Sequence, residues 1–231
     1  MKLSIISYTS KNTPGFGSMQ CYNQKYDIDD FQESDKGLID KVVKQCIKSG
    51  HTSVLEHWSV SFLIEGLSLV AIQQLTRHRI ASYTGRSLRY TKLDDNSEWY
   101  FVPKTISDLS KSDETKDGFD KYIQHMKNSS ALYYDLANNY NIPAEDARYC
   151  VPAATYNNMF VTMNARSLMN FFSERLCSRA QREIRLMAND LASKLKRIEP
   201  FLFDECRIAS PKCEQLNGMC KEKTPCKKEF K

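Results

Sequence analysis

Trp58-Ser59-Val60-Ser61-Phe62-Leu63-Ile64 sets large apolar side chains, Trp58, Val60, Phe62 and Ile64, at every second position against Ser59 and Ser61. A period of two marks a strand with one face buried. Ser68 is of an N-capping type, and the residues after it predict a helix to about His78. The pairing recurs downstream. Tyr156 to Met163 suits a strand, and Asn164 caps a long helix expected to reach Lys196, with Pro200 as its stop. Upstream, Lys2 to Tyr8 reads as a first strand and Thr9 to Asp30 as turn-rich, with Pro14, Gly15 and Gly17. Asp35 to Ser49 has helical spacing at Leu38, Ile39, Val42, Val43 and Ile47, with Gly50 as its stop. Between the two strand–helix pairs a polar, Gly-bearing loop leads to a short strand at Trp99 to Val102. A polar, exposed stretch from Ser107 to Asp120 then runs into a helix from about Gly118 to Asn139. Few strands separated by long helices predict an α+β fold, an antiparallel sheet packed with long helices in a single domain, rather than regular βαβ winding.

The 231 residues allow one sizeable core, or at most two small ones. Met1 to Ser10 is too short and too polar for a signal peptide. No apolar run approaches the roughly 20 residues that span a bilayer. The chain therefore reads as cytoplasmic, with no membrane partner. Residues 1–205 form the expected main domain, and 206–231 a Cys- and Lys-rich tail.

Four of the eight cysteines, Cys206, Cys213, Cys220 and Cys226, lie in that tail. Their spacing contains no C-x-x-C pair, so a Zn²⁺ site there is set against a reduced, partly ordered tail, and no metal is expected. Cys21, Cys46, Cys150 and Cys177 read as small packed residues.

The net charge of +5 decides little, but its placement is informative. From Gly66 to Leu93 there is no Asp or Glu, yet Arg77, Arg79, Arg86, Arg89 and Lys92 fall there. Such a patch is costly unless an anion completes it. Its core is Arg77-His78-Arg79-Ile80-Ala81-Ser82-Tyr83-Thr84-Gly85-Arg86-Ser87-Leu88-Arg89-Tyr90. Guanidinium forks, a hydroxyl and loop N–H groups can together hold a phosphate and the polar edge of a planar ring. The alternative is an exposed basic helix end favoured by the helix dipole. G-x-G-x-x-G, G-x-x-x-x-G-K-[ST] and H-E-x-x-H are all absent from the sequence.

Arg77 to Ser87 matches R-H-R-x7-S, the signature of the flavin-dependent thymidylate synthases, and three further blocks resemble that family in the expected order. Gly50-His51-Thr52-Ser53-Val54-Leu55-Glu56-His57 is similar to G-H-x-[ST]-x-x-E-H. Glu145-Asp146-Ala147-Arg148 before Val151-Pro152 is similar to E-[DN]-A-R and its following pair. Asn164-Ala165-Arg166-Ser167-Leu168 leads through Asn170-Phe171-Phe172 and Arg175 to Ala180-Gln181-x-Glu183-Ile184-Arg185. Read as residues alone, His51 and His57 could be loop and core histidines. Arg148 could pair with a neighbour, and Arg175, Arg179 and Arg182 could form a solvated helix face.

The resemblance implies reductive methylation of dUMP to dTMP, with methylenetetrahydrofolate as one-carbon donor and FAD reduced by NAD(P)H. It implies that Gln74, Arg77, Gly85, Arg86, Ser87, Leu88, Arg89, Arg148 and Arg175 hold dUMP. Ser53, Arg77, His78, Arg79, Asn164, Arg166 and Asn170 would hold FAD. Arg175 would be catalytic, stabilising a uracil ionised at N3, with no cysteine nucleophile. A homotetramer with active sites at subunit interfaces is implied as well. The sequence departs from the pattern at Gly85, where the family usually carries Glu or Gln. Two other readings stand beside this one. The chain could be a divergent member that binds FAD and nucleotide with weak or altered activity. It could instead be a basic nucleic-acid binder, suggested by the pI near 8.7 and an Arg-rich loop with Tyr83 and Tyr90, although no nucleic-acid module is recognisable.

Overall fold

The computed structural model describes residues 1–10, 12–22, 27–33, 36–93, 99–215, 220, 222–223 and 225–226. The chain opens with β1 (Lys2–Tyr8), α1 (Thr13–Tyr22), α2 (Ile28–Glu33) and α3 (Lys36–Lys48). A 3-10 helix (Thr52–His57) leads into β2 (Ser59–Ser68), α4 (Leu69–Leu75) and β3 (Ser82–Gly85). Next come α5 (Lys104–Leu109), α6 (Lys116–Tyr134), a π-helical turn (Asp135–Asn139) and α7 (Ala144–Ala147). The last elements are β4 (Tyr156–Asn164), α8 (Ala165–Arg175), α9 (Arg182–Ile198) and α10 (Lys212–Gln215). Among the described residues the strands form one antiparallel sheet in the order β1-β2-β4-β3, and the fold class is α+β as expected. No helix among these residues is long and apolar enough to cross a membrane.

Both expected caps are present. The Ser68 hydroxyl accepts from the Ala71 N–H at 3.1 Å, and Asn164 Oδ1 accepts from the Ser167 N–H at 2.8 Å. Each such cap is worth about 1 kcal/mol. Gly50, the stop of α3, sits at φ +78°, where only glycine is unstrained, and the His51 N–H behind it bonds back to the Cys46 carbonyl at 2.8 Å. The buried stripe of α3 is Ile39, Val43 and Cys46, whereas Leu38 is exposed.

Several elements differ from the sequence reading. Thr9 to Asp30 carries two helices rather than turns: Pro14 is tolerated in the first turn of α1, and Gly17 admits the His57 ring. A Cβ at Gly17 would come within 2.8 Å of His57 Cδ2. The helix capped by Ser68 ends at Leu75, not His78. The expected strand at Trp99 to Val102 is only an isolated bridge, Tyr100 to Thr155, and α5, with no buried residue, runs into the start of the polar stretch. The helix expected to run from Asn164 to Lys196 is two helices. A turn closes with Ala180 N–H on the Cys177 carbonyl, and Gln181 Oε1 then caps α9 through the Ile184 N–H at 3.1 Å.

The contacts gather into two compact units, each discontinuous in sequence. The first comprises residues 1–2, 64–77 and 83–160. Its core packs Leu93, Trp99, Tyr133, Ala137 and Ala147, with Leu88, Cys150 and Val151 against them. The second comprises residues 3–63, 78–82 and 161–231. There Trp58, fully buried, meets Phe203 edge-on with ring centroids 4.9 Å apart. Ile184, Met187, Ala188, Leu191 and Leu195 form the buried stripe of α9, at helical spacing.

Candidate active site

In the first unit the end of α4 sets up the basic segment. Tyr83 donates its hydroxyl to the Leu75 carbonyl at 3.0 Å, pinning β3 to the last turn of that helix. Burial pushes the Tyr83 phenol up to about 12, so it stays a proton donor at neutral pH. Gln74 is half-buried on α4, and Arg77 is exposed just beyond it. At the end of β3, Gly85 faces Met159, whose Cε would lie 3.1 Å from an added Cβ. Its φ lies outside the left-handed region.

Arg86 then bonds three ways to β4. Its N–H donates to the Asn158 carbonyl at 3.0 Å and its Nη2 to the Tyr156 carbonyl at 3.2 Å, while its own carbonyl accepts from Asn157 Nδ2 at 3.0 Å. Ser87 closes a turn: its carbonyl accepts from the Tyr90 and Thr91 N–H groups, and its hydroxyl from the Arg89 N–H at 3.3 Å. Arg89 directs Nε and Nη2 at one carboxylate oxygen of Glu145, at 3.0 and 2.8 Å. Arg148 Nε donates to the Glu145 carbonyl at 3.0 Å. Glu145 therefore organises two arginines, through its side chain and its main chain. Leu88 belongs to the packing of the core. The counter-charge missing from the local sequence of the patch is supplied by Glu145, from far along the chain.

In the second unit His78 is buried, and its Nε2 accepts a hydrogen bond from Arg175 Nε at 3.1 Å. Burial, and then the Arg175 charge, lower His78 from 6.5 to about 4. At neutral pH the ring is uncharged and can act as the acceptor for the guanidinium. Phe171 meets the same ring edge-on at 5.0 Å. Phe171 and Arg175 are four residues apart on α8, so one helix face carries both contacts to His78. Arg166 and Asn170 are likewise four apart and both exposed, on a different face of α8. Asn164 spends its side-chain oxygen on the cap, while Ser53 and Arg79 are exposed. A cavity of about 540 Å³ opens beside α1, lined by Thr13, Phe16, Ile28, Gln32 and His57.

The structure thus brings Arg86, Ser87, Arg89 and Arg148 into one bonded neighbourhood, and His78 and Arg175 into another. Arg77 belongs to the first unit and Arg79 to the second. From the sequence, Glu145 and the β4 residues Tyr156 to Asn158 carried no expected role, and Tyr83 carried one only in the nucleic-acid alternative. Glu145 had a signal, its place three residues before Arg148 in a quoted block. Tyr83 lay inside the signature. The β4 carbonyls had none, because main-chain acceptors leave no trace in residue type. Among the described residues, which include all four tail cysteines, no group of three or more His, Cys, Asp or Glu is placed to hold a metal ion.

Residues 4–201 match the family model described as thymidylate synthase complementing protein. The flavin-dependent thymidylate synthase of Sulfolobus acidocaldarius is 39% identical over 92% of this chain and 78% of its own length. That of Clostridium tetani is 34% identical over 96% and 91%. The crystal structure of thymidylate synthase X from Helicobacter pylori, with FAD and dUMP, superposes with a TM-score of 0.68 at 27% identity, covering 89% of this chain and 99% of that one. The UMP/dUMP methylase PolB from Streptomyces cacaoi, bound with 5-Br dUMP, shares the fold at a TM-score of 0.76 and 21% identity, over 91% and 96% of the two chains. The chain is an enzyme and belongs to the thymidylate synthase complementing protein family, that of the flavin-dependent thymidylate synthases.

Proposed function

We propose that this chain methylates dUMP to dTMP, using methylenetetrahydrofolate as one-carbon donor and FAD reduced by NAD(P)H. The observation that carries the reading is the Arg175–His78 pair: a guanidinium oriented by a neutral, buried imidazole. Moving a one-carbon unit to C5 of uracil needs electron density at C5. An ionised N3 supplies it, and Arg175 stabilises that charge as it develops. His78 keeps the guanidinium in place because it carries no charge to repel it. Cys150 is half-buried and its thiol is pushed up by burial, which fits chemistry without a cysteine nucleophile.

Gln74, Arg77, the segment 85–89 and Arg148 form the nucleotide site, in which Arg89 and Arg148 offer guanidinium groups for the phosphate. When dUMP arrives, its phosphate competes with the Glu145 carboxylate for Arg89. The flavin-side residues suit FAD by their donor chemistry. Ser53 offers a hydroxyl, Asn170 an amide and Arg79 and Arg166 exposed guanidinium groups, and α8 opens beside Arg166 with the positive end of its dipole. Bound there and reduced by NAD(P)H, the flavin would supply the hydride that turns the transferred carbon into a methyl group. The enzyme works as a homotetramer in which residues of more than one copy complete each site. Residues 1–205 form the catalytic domain and 206–231 an appended tail. The purified chain should carry FAD or bind it, and should oxidise NADPH faster when dUMP is present. Protein that stays colourless after incubation with FAD overturns this reading.

A further inference from the structure

We propose that Arg86 is a positioning residue for the nucleotide: it clamps the turn bearing Ser87 and Arg89 onto β4, and so presents both to dUMP. The inference rests on the dUMP-binding reading above and assigns Arg86 an indirect part in it.

The far side of the turn is held by Leu88, which packs against the core, and by the Arg89–Glu145 ion pair, while its near end begins at Gly85. Gly85 has no side chain, and the space above it is taken by Met159 Cε. Beyond Gly85, the main chain of residues 87–91 closes on Ser87, whose carbonyl accepts the Tyr90 N–H, the Thr91 N–H and the Thr91 hydroxyl. Arg86 links this closed turn to the sheet. Its three bonds reach three consecutive residues, Tyr156, Asn157 and Asn158. Two of them use the main chain and would survive most substitutions. The third, Nη2 to the Tyr156 carbonyl, needs a long planar cation.

The remaining guanidinium chemistry carries a cost. Arg86 Nε is buried and has no hydrogen-bond acceptor among the described residues. A buried N–H without an acceptor destabilises, and an unbranched apolar side chain would fill the same path without that cost. The guanidinium is therefore explained by the bond that it makes to β4. A residue spent on the strand's own carbonyl acts through Ser87 and Arg89, not by touching the reacting atoms.

The test compares the full-length, FAD-loaded chain with its Arg86→Met and Arg86→Lys variants. Calorimetry measures dUMP binding, and hydrogen exchange follows the amides of residues 87–91 without nucleotide. Arg86→Met should weaken dUMP binding about tenfold, the scale of one hydrogen bond donated by a charged group. It should also speed exchange in the turn, and lower kcat less than it raises KM. Arg86→Lys should restore little, because an ammonium lacks the fork. Should Arg86→Met fail to fold, Asn157→Ala, which leaves the guanidinium in place but removes the side-chain bond to the Arg86 carbonyl and the one that Asn157 Oδ1 accepts from the Asn158 N–H, should show the same pairing of effects. Unchanged exchange in the turn overturns the clamp, and so does a fall in kcat at unchanged dUMP affinity. Absence of dUMP binding by the unmodified chain would instead overturn the nucleotide reading, with the exchange comparison still deciding the clamp.

Discussion

Acidification should destabilise this protein through His78, and the size of the effect follows from its surroundings. The ring is 9% exposed and accepts from Arg175 Nε at 3.1 Å, so its folded-state pKa is lowered from 6.5 to about 4. Between these two values the unfolded chain binds a proton that the folded chain refuses, so stability rises with pH across that window. The contribution is complete above about pH 6.5 and is lost as the pH falls toward 4. Integrated, the loss is about 3 kcal/mol in all, of which about 2 kcal/mol is gone by pH 5. His78→Gln isolates this term, because an amide oxygen can still accept from Arg175 but does not titrate. Urea unfolding followed by Trp58 and Trp99 fluorescence, at pH 7.5 and pH 5.0, gives the loss for each protein. The native chain should lose about 2 kcal/mol more than His78→Gln between the two pH values. Equal losses would mean that His78 is not held neutral by its burial and by Arg175. The orientation argued for the guanidinium would then fall with it.

Arg175→Lys keeps the charge but loses the planar fork, and dTMP formation should fall roughly a hundredfold, the scale for one transition-state donor; near-normal turnover would remove Arg175 as the activating group. Cys150→Ala and Cys177→Ala should each retain methyl transfer in a product assay, whereas a variant that folds and binds dUMP but makes no dTMP would point to a covalent cysteine route. Gly85→Gln should tighten dUMP binding about two- to tenfold through one restored hydrogen bond. The backbone allows it: φ at Gly85 is not in the left-handed region, and only the flexible end of Met159 must give way. A flavin absorbance titration with dUMP measures that change, and weaker binding in a folded variant would show that the Met159 contact matters more than the missing side chain.

Much of this architecture could be read from residue order where the determining interactions are local. The alternation through Trp58 to Ile64, and the caps at Ser68 and Asn164, act within a few residues and were found where expected. Elements that depend on distant partners were not legible. β3 is four residues long and holds its shape through hydrogen bonding to β4. α1 contains Pro14 and two glycines, which read as turn signals, yet Gly17 is required by the approach of a histidine forty residues away. The site was legible in the same uneven way. Its arginines stand in recognisable blocks, so their identities were accessible. The acceptors that hold them were not: the Glu145 side chain for Arg89, the Tyr156 carbonyl for Arg86 and the His78 ring for Arg175 all lie far off in sequence. A motif records which side chains are present, but the hydrogen bonds that aim them are made by the fold.

Transfer of a one-carbon unit to C5 of dUMP, with reduction there, must expel the C5 hydrogen. Release of tritium from C5-labelled dUMP, in the presence of FAD, NADPH and methylenetetrahydrofolate, measures that loss. Tritium in water should appear in step with dTMP, depend on all three additions, and collapse in Arg175→Lys. A folded, flavin-loaded protein that binds dUMP but releases no tritium and forms no dTMP would contradict that transfer.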